Sequence, residues 1–250
     1  IYIFNLSIYQ IKGFWVTTAI AAFLQLLKVG LSTIAIRGPP LPNERRISER
    51  VTVMDIKKPV MRPENAHFSS GPCAKNPVFE LNKLIKAPLG RSHRAGIGKT
   101  KLKLAIDETR EILEIPNDYK IAIVPASDTG AVEMAMWSML GARAVTMVAW
   151  ESFGSGWVSD AVKQLKIDAK IYNADYGKIV DMQTLDYDTD IVFTWNGTTS
   201  GVCLRDGKAI PNNRLGLTIC DATSAAFAMD LPWEKLDVTT FSWQKVLGGE

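Results

Sequence analysis

The chain predicts an α/β fold, a mainly parallel sheet with helices on both faces, and three observations carry that expectation. Short continuous apolar runs such as 121–124 and 217–220 have the length and composition of strands buried on both sides. Longer segments with apolar residues three and four apart lie between them. Polar residues gather just beyond several of the apolar runs, which is where open sheets of this class bind ligands.

Each element has its own signal. Residues 99–114 place Leu102, Ala105, Ile106, Thr109, Ile112 and Leu113 on one stripe, and Pro116 and Asn117 close the helix. Ile121-Ala122-Ile123-Val124 comes next as a buried strand. Residues 129–140 read as a helix ended by Gly141, 144–150 as a strand, and 156–165 as a further helix. Strands are then expected at 191–194, 217–220 and 238–241. No internal repeat or low-complexity segment interrupts the alternation.

Composition narrows the class. With 250 residues and 47% hydrophobic content, the chain can bury a large core. Its three cysteines, Cys73, Cys203 and Cys220, form no CxxC pair and leave one unmatched in any disulfide scheme, as expected in a reducing, cytoplasmic compartment. Two histidines, His67 and His93, are too few for a His-based zinc cluster, so no metal site is expected. Residues 1–53 hold six basic and two acidic side chains, a surplus of four, which leaves a net −1 on the rest out of an overall +3. A body so near neutrality carries no nucleic-acid footprint.

The first 53 residues differ in character from the rest of the chain. Residues 14–36 are apolar for about the length that spans a bilayer and precede Arg37, Arg45, Arg46 and Arg50. Gln25 and Lys28 inside that stretch, and the lack of a small-residue cleavage site, argue against a membrane anchor or leader. Met54-Asp55-Ile56-Lys57-Lys58-Pro59 resembles an ordinary N-terminus. The expectation is therefore an extension over 1–53 outside the folded enzyme, and a body over 54–250.

The most informative stretch is Phe241-Ser242-Trp243-Gln244-Lys245-Val246-Leu247-Gly248-Gly249, in which an apolar run delivers one lysine to a Gly-Gly turn. Upstream, Leu217-Thr218-Ile219-Cys220-Asp221 is a second apolar strand ending on a carboxylate. A lysine able to form a Schiff base and an Asp placed to pair with a pyridinium nitrogen are the minimum a protein supplies to pyridoxal 5'-phosphate. Phe241, Trp243, Val246 and Leu247 would desolvate the amine and favour its neutral form. Taken singly, Lys245 reads sooner as a surface lysine and Asp221 as a helix cap; their shared placement after successive strands favours the cofactor. Ser127-Asp128-Thr129-Gly130 lies between a strand and a helix, where exposed amides and the helix dipole suit a phosphate. The Asp128 carboxylate must then point away, with the backbone amides of Asp128 and Thr129 making the contacts. An ordinary N-cap reads the same way.

From about Met54 onward the sequence resembles the phosphoserine aminotransferases, which are fold-type-I pyridoxal-phosphate enzymes. The residues that carry the resemblance are Phe68-Ser69-Ser70-Gly71-Pro72, Gly90-Arg91-Ser92-His93-Arg94, Pro125 to Gly130, Trp157, Trp195-Asn196-Gly197-Thr198-Thr199-Ser200-Gly201, Asp221 and Gln244-Lys245. The resemblance implies a cytoplasmic homodimer that interconverts phosphoserine plus 2-oxoglutarate with 3-phosphonooxypyruvate plus glutamate in serine biosynthesis. It implies that Lys245 and Asp221 are catalytic, that Ser127, Asp128, Thr129, Trp157, Thr198 and Gln244 join them in holding the cofactor, and that Ser70, His93 and Arg94 bind substrate. Trp157 is the expected stacking partner of the cofactor ring, and Thr198 the expected partner of its phenolic oxygen. Against this family the chain is expected to be C-terminally incomplete, stopping at Glu250 without the small domain. Whether it takes the related phosphohydroxythreonine of vitamin B6 synthesis stays open. The rival readings are another fold-type-I enzyme, such as an alanine–glyoxylate aminotransferase or a cysteine desulfurase, and a membrane-anchored non-catalytic domain.

Overall fold

The computed structural model describes residues 7–12, 53–55, 60–61, 78 and 80–248. Its centre is a seven-stranded sheet built from β1 (Ser7–Lys12), β3 (Tyr119–Val124), β4 (Val145–Ala149), β5 (Ala169–Asn173), β7 (Asp190–Thr194), β10 (Thr218–Asp221) and β11 (Val238–Ser242), in the order β3-β1-β11-β10-β7-β4-β5. The five strands from β11 to β5 pair parallel throughout, and β1 alone runs antiparallel to both of its neighbours. Two small ribbons flank the sheet, β2 (Val53–Asp55) with β6 (Lys178–Val180), and β8 (Asn196–Gly197) with β9 (Val202–Cys203).

The expected helices form at nearly the expected places: α1 at Gly96–Ile112, α2 at Asp128–Met139 and α3 at Ser152–Ser159. Helix α3 begins four residues before the expected 156 because the Glu151 side chain accepts a hydrogen bond from the Gly154 amide at 2.7 Å and caps it there. It then widens into a single π turn, Asp160–Gln164. Strands β5 and β6 were not expected. Lys170, Ile171 and Asn173 of β5 are exposed and only Tyr172 is buried, so its apolar signal is weak, as is common for an edge strand.

Strand alternation sorts the core into two layers. Val145 and Met147 of β4, Val192 of β7, Ile219 of β10 and Val238 of β11 face α2 and α3, packing on Ala131, Ala135, Met136, Trp157 and Ala161. Val148, Phe193, Cys220 and Phe241 face the other way, onto Trp150, Trp195, Trp233 and Leu236. That second face is covered mainly by short helical turns and loops, with Leu113 just beyond α1 at its margin. Full burial of each large side chain contributes about 1.5–3 kcal/mol, and Trp150, Phe193 and Phe241 are completely enclosed.

Residues 1–53 were expected to stand apart from the fold, yet Ser7–Lys12 fills the slot between β3 and β11, pairing Tyr9 with Ala122 on one side and with Thr240 on the other. The reason is backbone chemistry: one antiparallel strand satisfies two ladder edges that would otherwise face each other unpaired. Met54, expected to open the body, sits within β2. The apolar stretch 14–36 lies outside the described residues. No helix among the described residues is long and apolar enough to cross a membrane.

The strand ends away from the site are pinned by polar contacts. Arg214 grips Asp237 with two hydrogen bonds of 3.0 Å, and Asp237 in turn accepts from the Thr218 amide and hydroxyl at 2.9 Å. The Tyr119 hydroxyl donates to the carbonyl oxygens of Trp233 and Leu236, and burial raises its pKa well above the ordinary tyrosine value. Gly216 enters β10 where a Cβ would stand 1.8 Å from the Thr189 carbonyl oxygen, beside Asp190, whose carboxylate accepts the Leu217 amide at 2.8 Å. Neither backbone can retreat without breaking that ladder. Gly216→Ala should therefore destabilise the chain by about 3 kcal/mol or more, read as a lower urea midpoint with an unchanged slope.

Candidate active site

A cavity of about 290 Å³ opens beyond the carboxyl ends of the parallel strands. Its size lies near the lower end of the range for small-molecule pockets, about 300 Å³. Each of five strands delivers polar groups to it. Ser127, Asp128 and Thr129 come after β3; Glu151 and Trp157 after β4; Thr194, Asn196 and Thr198 end or succeed β7; Asp221, Thr223 and Ser224 end or succeed β10; Ser242, Gln244 and Lys245 end or succeed β11.

Asp221 is the best-supported group. It is 9% exposed, and a buried carboxylate needs donors. Three are present: the Trp157 indole Nε1 at 3.0 Å on Oδ2, and the Thr223 amide and hydroxyl at 3.0 and 2.6 Å on Oδ1. Trp157 thus lines the cavity and also holds Asp221 in place. The two roles are compatible, since the hydrogen bond uses the ring edge and leaves a face.

The first turn of α2 supplies the anion-binding feature. The amides of Asp128 and Thr129 precede the first intrahelical bond, which runs from Gly130 to Ser127 at 3.0 Å. The turn is made by Ala126 in the left-handed region at φ 76°, a conformation that costs a residue with a Cβ about 1–2 kcal/mol. The Asp128 side chain turns inward, 6% exposed, with Oδ2 accepting from Thr240 Oγ1 at 3.3 Å.

Thr198 Oγ1 and Ser224 Oγ share a hydrogen bond of 2.7 Å at the cavity wall. Thr194 Oγ1 and Ser242 Oγ are buried there without a protein partner. Lys245 is half-buried. A basic side chain, a held carboxylate, a helix N-terminus and unpartnered hydroxyls around one cavity fit a phosphorylated pyridine, so the donor set suits pyridoxal 5'-phosphate.

Other expected residues stand elsewhere. His93 and Arg94 are exposed on the loop before α1 and do not line the cavity. That loop is held by the Arg94 amide donating to Ser92 Oγ at 3.1 Å and by close approach to Gly98, where a Cβ would lie 2.5 Å from the Ser92 carbonyl oxygen. Ser70 falls outside the described residues. Sequence reasoning missed Glu151, Phe153, Thr194, Thr223, Ser224 and Ser242. Glu151, 3% exposed, accepts from the Gly154 amide and, at 3.2 Å, from Thr199 Oγ1. Its available signal was position: it is the carboxylate just after the 144–150 run, at the rim that gathers the rest.

Trp157→Phe keeps the ring and removes the donor. Losing a hydrogen bond to a charged acceptor should destabilise the chain by about 1.5–3 kcal/mol, measured by equilibrium unfolding.

The chain is 58% identical over 194 residues to the phosphoserine aminotransferases of Methanosarcina barkeri and of Methanosarcina mazei, covering 77% of this chain and 52% of each relative. Its fold matches a crystal structure of a phosphoserine aminotransferase from Cytophaga hutchinsonii with a TM-score of 0.56 and 26% identity, over 62% of this chain and 44% of that one. No family model matches. The chain spans about half the length of the curated relatives it matches, and over the 194 residues it shares with them it is similar to the phosphoserine aminotransferases.

Proposed function

We propose that the chain provides the pyridoxal-phosphate-binding part of an aminotransferase acting between phosphoserine with 2-oxoglutarate and 3-phosphonooxypyruvate with glutamate, in serine biosynthesis. The observation that carries this is the convergence of Lys245, Asp221 and the α2 N-terminus on one cavity, in a chain 58% identical to phosphoserine aminotransferases. Bound there, the cofactor supplies an electron sink for the substrate's Cα.

The residues do the rest. Lys245 stands after β11 as the group that would anchor the cofactor and, as a free amine, move a proton at the substrate's Cα. Asp221, held by Trp157 and Thr223, presents a fixed negative charge to the ring nitrogen and keeps it protonated. The amides of Asp128 and Thr129, with Ser127 and Gln244, receive the phosphate. Thr198 offers a hydroxyl to the phenolic oxygen, and Trp157 offers a face to the ring. Ser70, His93 and Arg94 take the substrate's anions; this part rests on the family resemblance alone, since the Arg94 loop is exposed. The same resemblance supports a cytoplasmic homodimer.

Incubated with pyridoxal phosphate, the chain should turn yellow, and borohydride reduction followed by peptide mapping should fix the label on Lys245. A label on Lys235, or on no lysine, overturns the reading. In the full-length enzyme, Asp221→Asn should fold and keep much of its cofactor while turnover falls at least 100-fold, about 2.7 kcal/mol of barrier. A near-normal rate would make Asp221 a structural cap. Arg94→Lys keeps the charge and loses the two-pronged fork, so KM for glutamate or phosphoserine should rise with the cofactor spectrum unchanged. Normal KM for both substrates would return the loop to ordinary surface.

A further inference from the structure

Asp128 is a second carboxyl at the place where Asp221 is needed as a carboxylate. It sits at the start of α2 and faces the end of β10: its Oδ2 accepts from Thr240 Oγ1, Thr240 is the β11 residue in register with Asp221, and both carboxyls line the cavity. The surrounding donors are divided unequally. Asp221 receives three hydrogen bonds of 2.6 to 3.0 Å. Asp128 receives a single long one from Thr240, and its Oδ1 is fully enclosed with no donor. Two carboxylates cannot pair without a proton between them, and like charges so close in a dry site cannot both ionise.

We propose that Asp128 is a positioning residue which shares one proton with Asp221, so that the pair presents a single negative charge to the cofactor's ring nitrogen. This rests on the reading of Asp221 as the ring's partner. Without the proton the pair would carry two charges against the one positive charge of a pyridinium. With it, Asp128 becomes a donor that steadies Asp221 from the α2 side while Trp157 and Thr223 hold it from α3 and its own turn.

Every neighbouring group is compatible with that state. Burial, and then the charge of Asp221, push the Asp128 carboxyl well above the usual carboxylate range, while the hydroxyls of Thr223 and Thr240 pull it down. The Thr223 hydroxyl is committed to Asp221 at 2.6 Å. Cys220, behind Asp221 on β10, is kept a neutral thiol by burial and by both carboxyls. Lys245 and Glu151 line the same cavity. Because the folded state holds the proton more tightly than the unfolded chain, Asp128 stabilises the fold fully below about pH 3.9 and loses that contribution as pH rises through its folded value.

The test is infrared difference spectroscopy on the 250-residue chain without cofactor, near pH 7, with aspartate isotopically labelled. The expected result is a protonated-carboxyl C=O band that disappears in Asp128→Asn and persists in the control Asp190→Asn. In Asp221→Asn the pH at which the band titrates should fall, because the partner charge is gone. Should Asp128→Asn fail to fold, the labelled wild type and Asp221→Asn still decide. Absence of the band in the wild type, its survival in Asp128→Asn, or an unchanged titration in Asp221→Asn overturns the proposal. Failure to bind pyridoxal phosphate would instead overturn the functional reading and leave the shared proton intact.

Discussion

Parallel pairing is the constraint on which everything else depends. Five strands from β11 to β5 are hydrogen-bonded in one direction, so their carboxyl ends must all finish at one rim. Parallel strands need crossover connections, and the crossovers bury both sheet faces. The same geometry that makes 191–194 and 217–220 continuous apolar runs therefore forces their polar continuations together. Residues far apart in the chain, Glu151 and Lys245 among them, meet at one cavity for that reason.

The two ends of the strands carry different duties. Away from the site, polar groups pin the strand ends: Arg214 pairs with Asp237, Asp237 with Thr218, and Tyr119 with two carbonyls. At the cavity, pairing is unequal. Asp221 is saturated with donors, while Thr194, Ser242 and one oxygen of Asp128 are enclosed without any. Buried polar atoms lacking partners are unfavourable by about 1–3 kcal/mol each. A ligand with a phosphate and a ring nitrogen offers a use for these three groups at the cavity. The left-handed Ala126 adds strain at the same place, where the backbone must turn its amides outward.

Trp157 shows how one residue can belong to two descriptions. Its ring lines the cavity, and its indole nitrogen holds the Asp221 carboxylate. A tryptophan is suited to both because its face is apolar and its edge carries a donor. Glu151 is similar: it caps α3 and also forms part of the cavity wall.

Much of this was legible in the chain itself. Strands β3, β4, β7, β10 and β11 announce themselves because burial on both faces demands uninterrupted apolar residues, α1 because a one-sided helix repeats its apolar positions every three to four residues, and α2 by its glycine stop at Gly141. Lys245, Asp221 and the Ser127 turn were found by lying just past such runs. What the sequence could not state was which groups touch. That Trp157 donates to Asp221, that Asp128 turns inward beside it, and that Glu151, Thr223 and Ser242 share the wall all depend on contacts across 64 or more residues or on side-chain direction. Strand β1 makes the same point for the backbone. Nothing in Ser7–Lys12 marks it as a partner of β3 and β11, since pairing is decided by the vacant hydrogen bonds of its neighbours. Local periodicity determined the elements and the rim; the tertiary structure alone decided the partners, because partnership is set by distance in space.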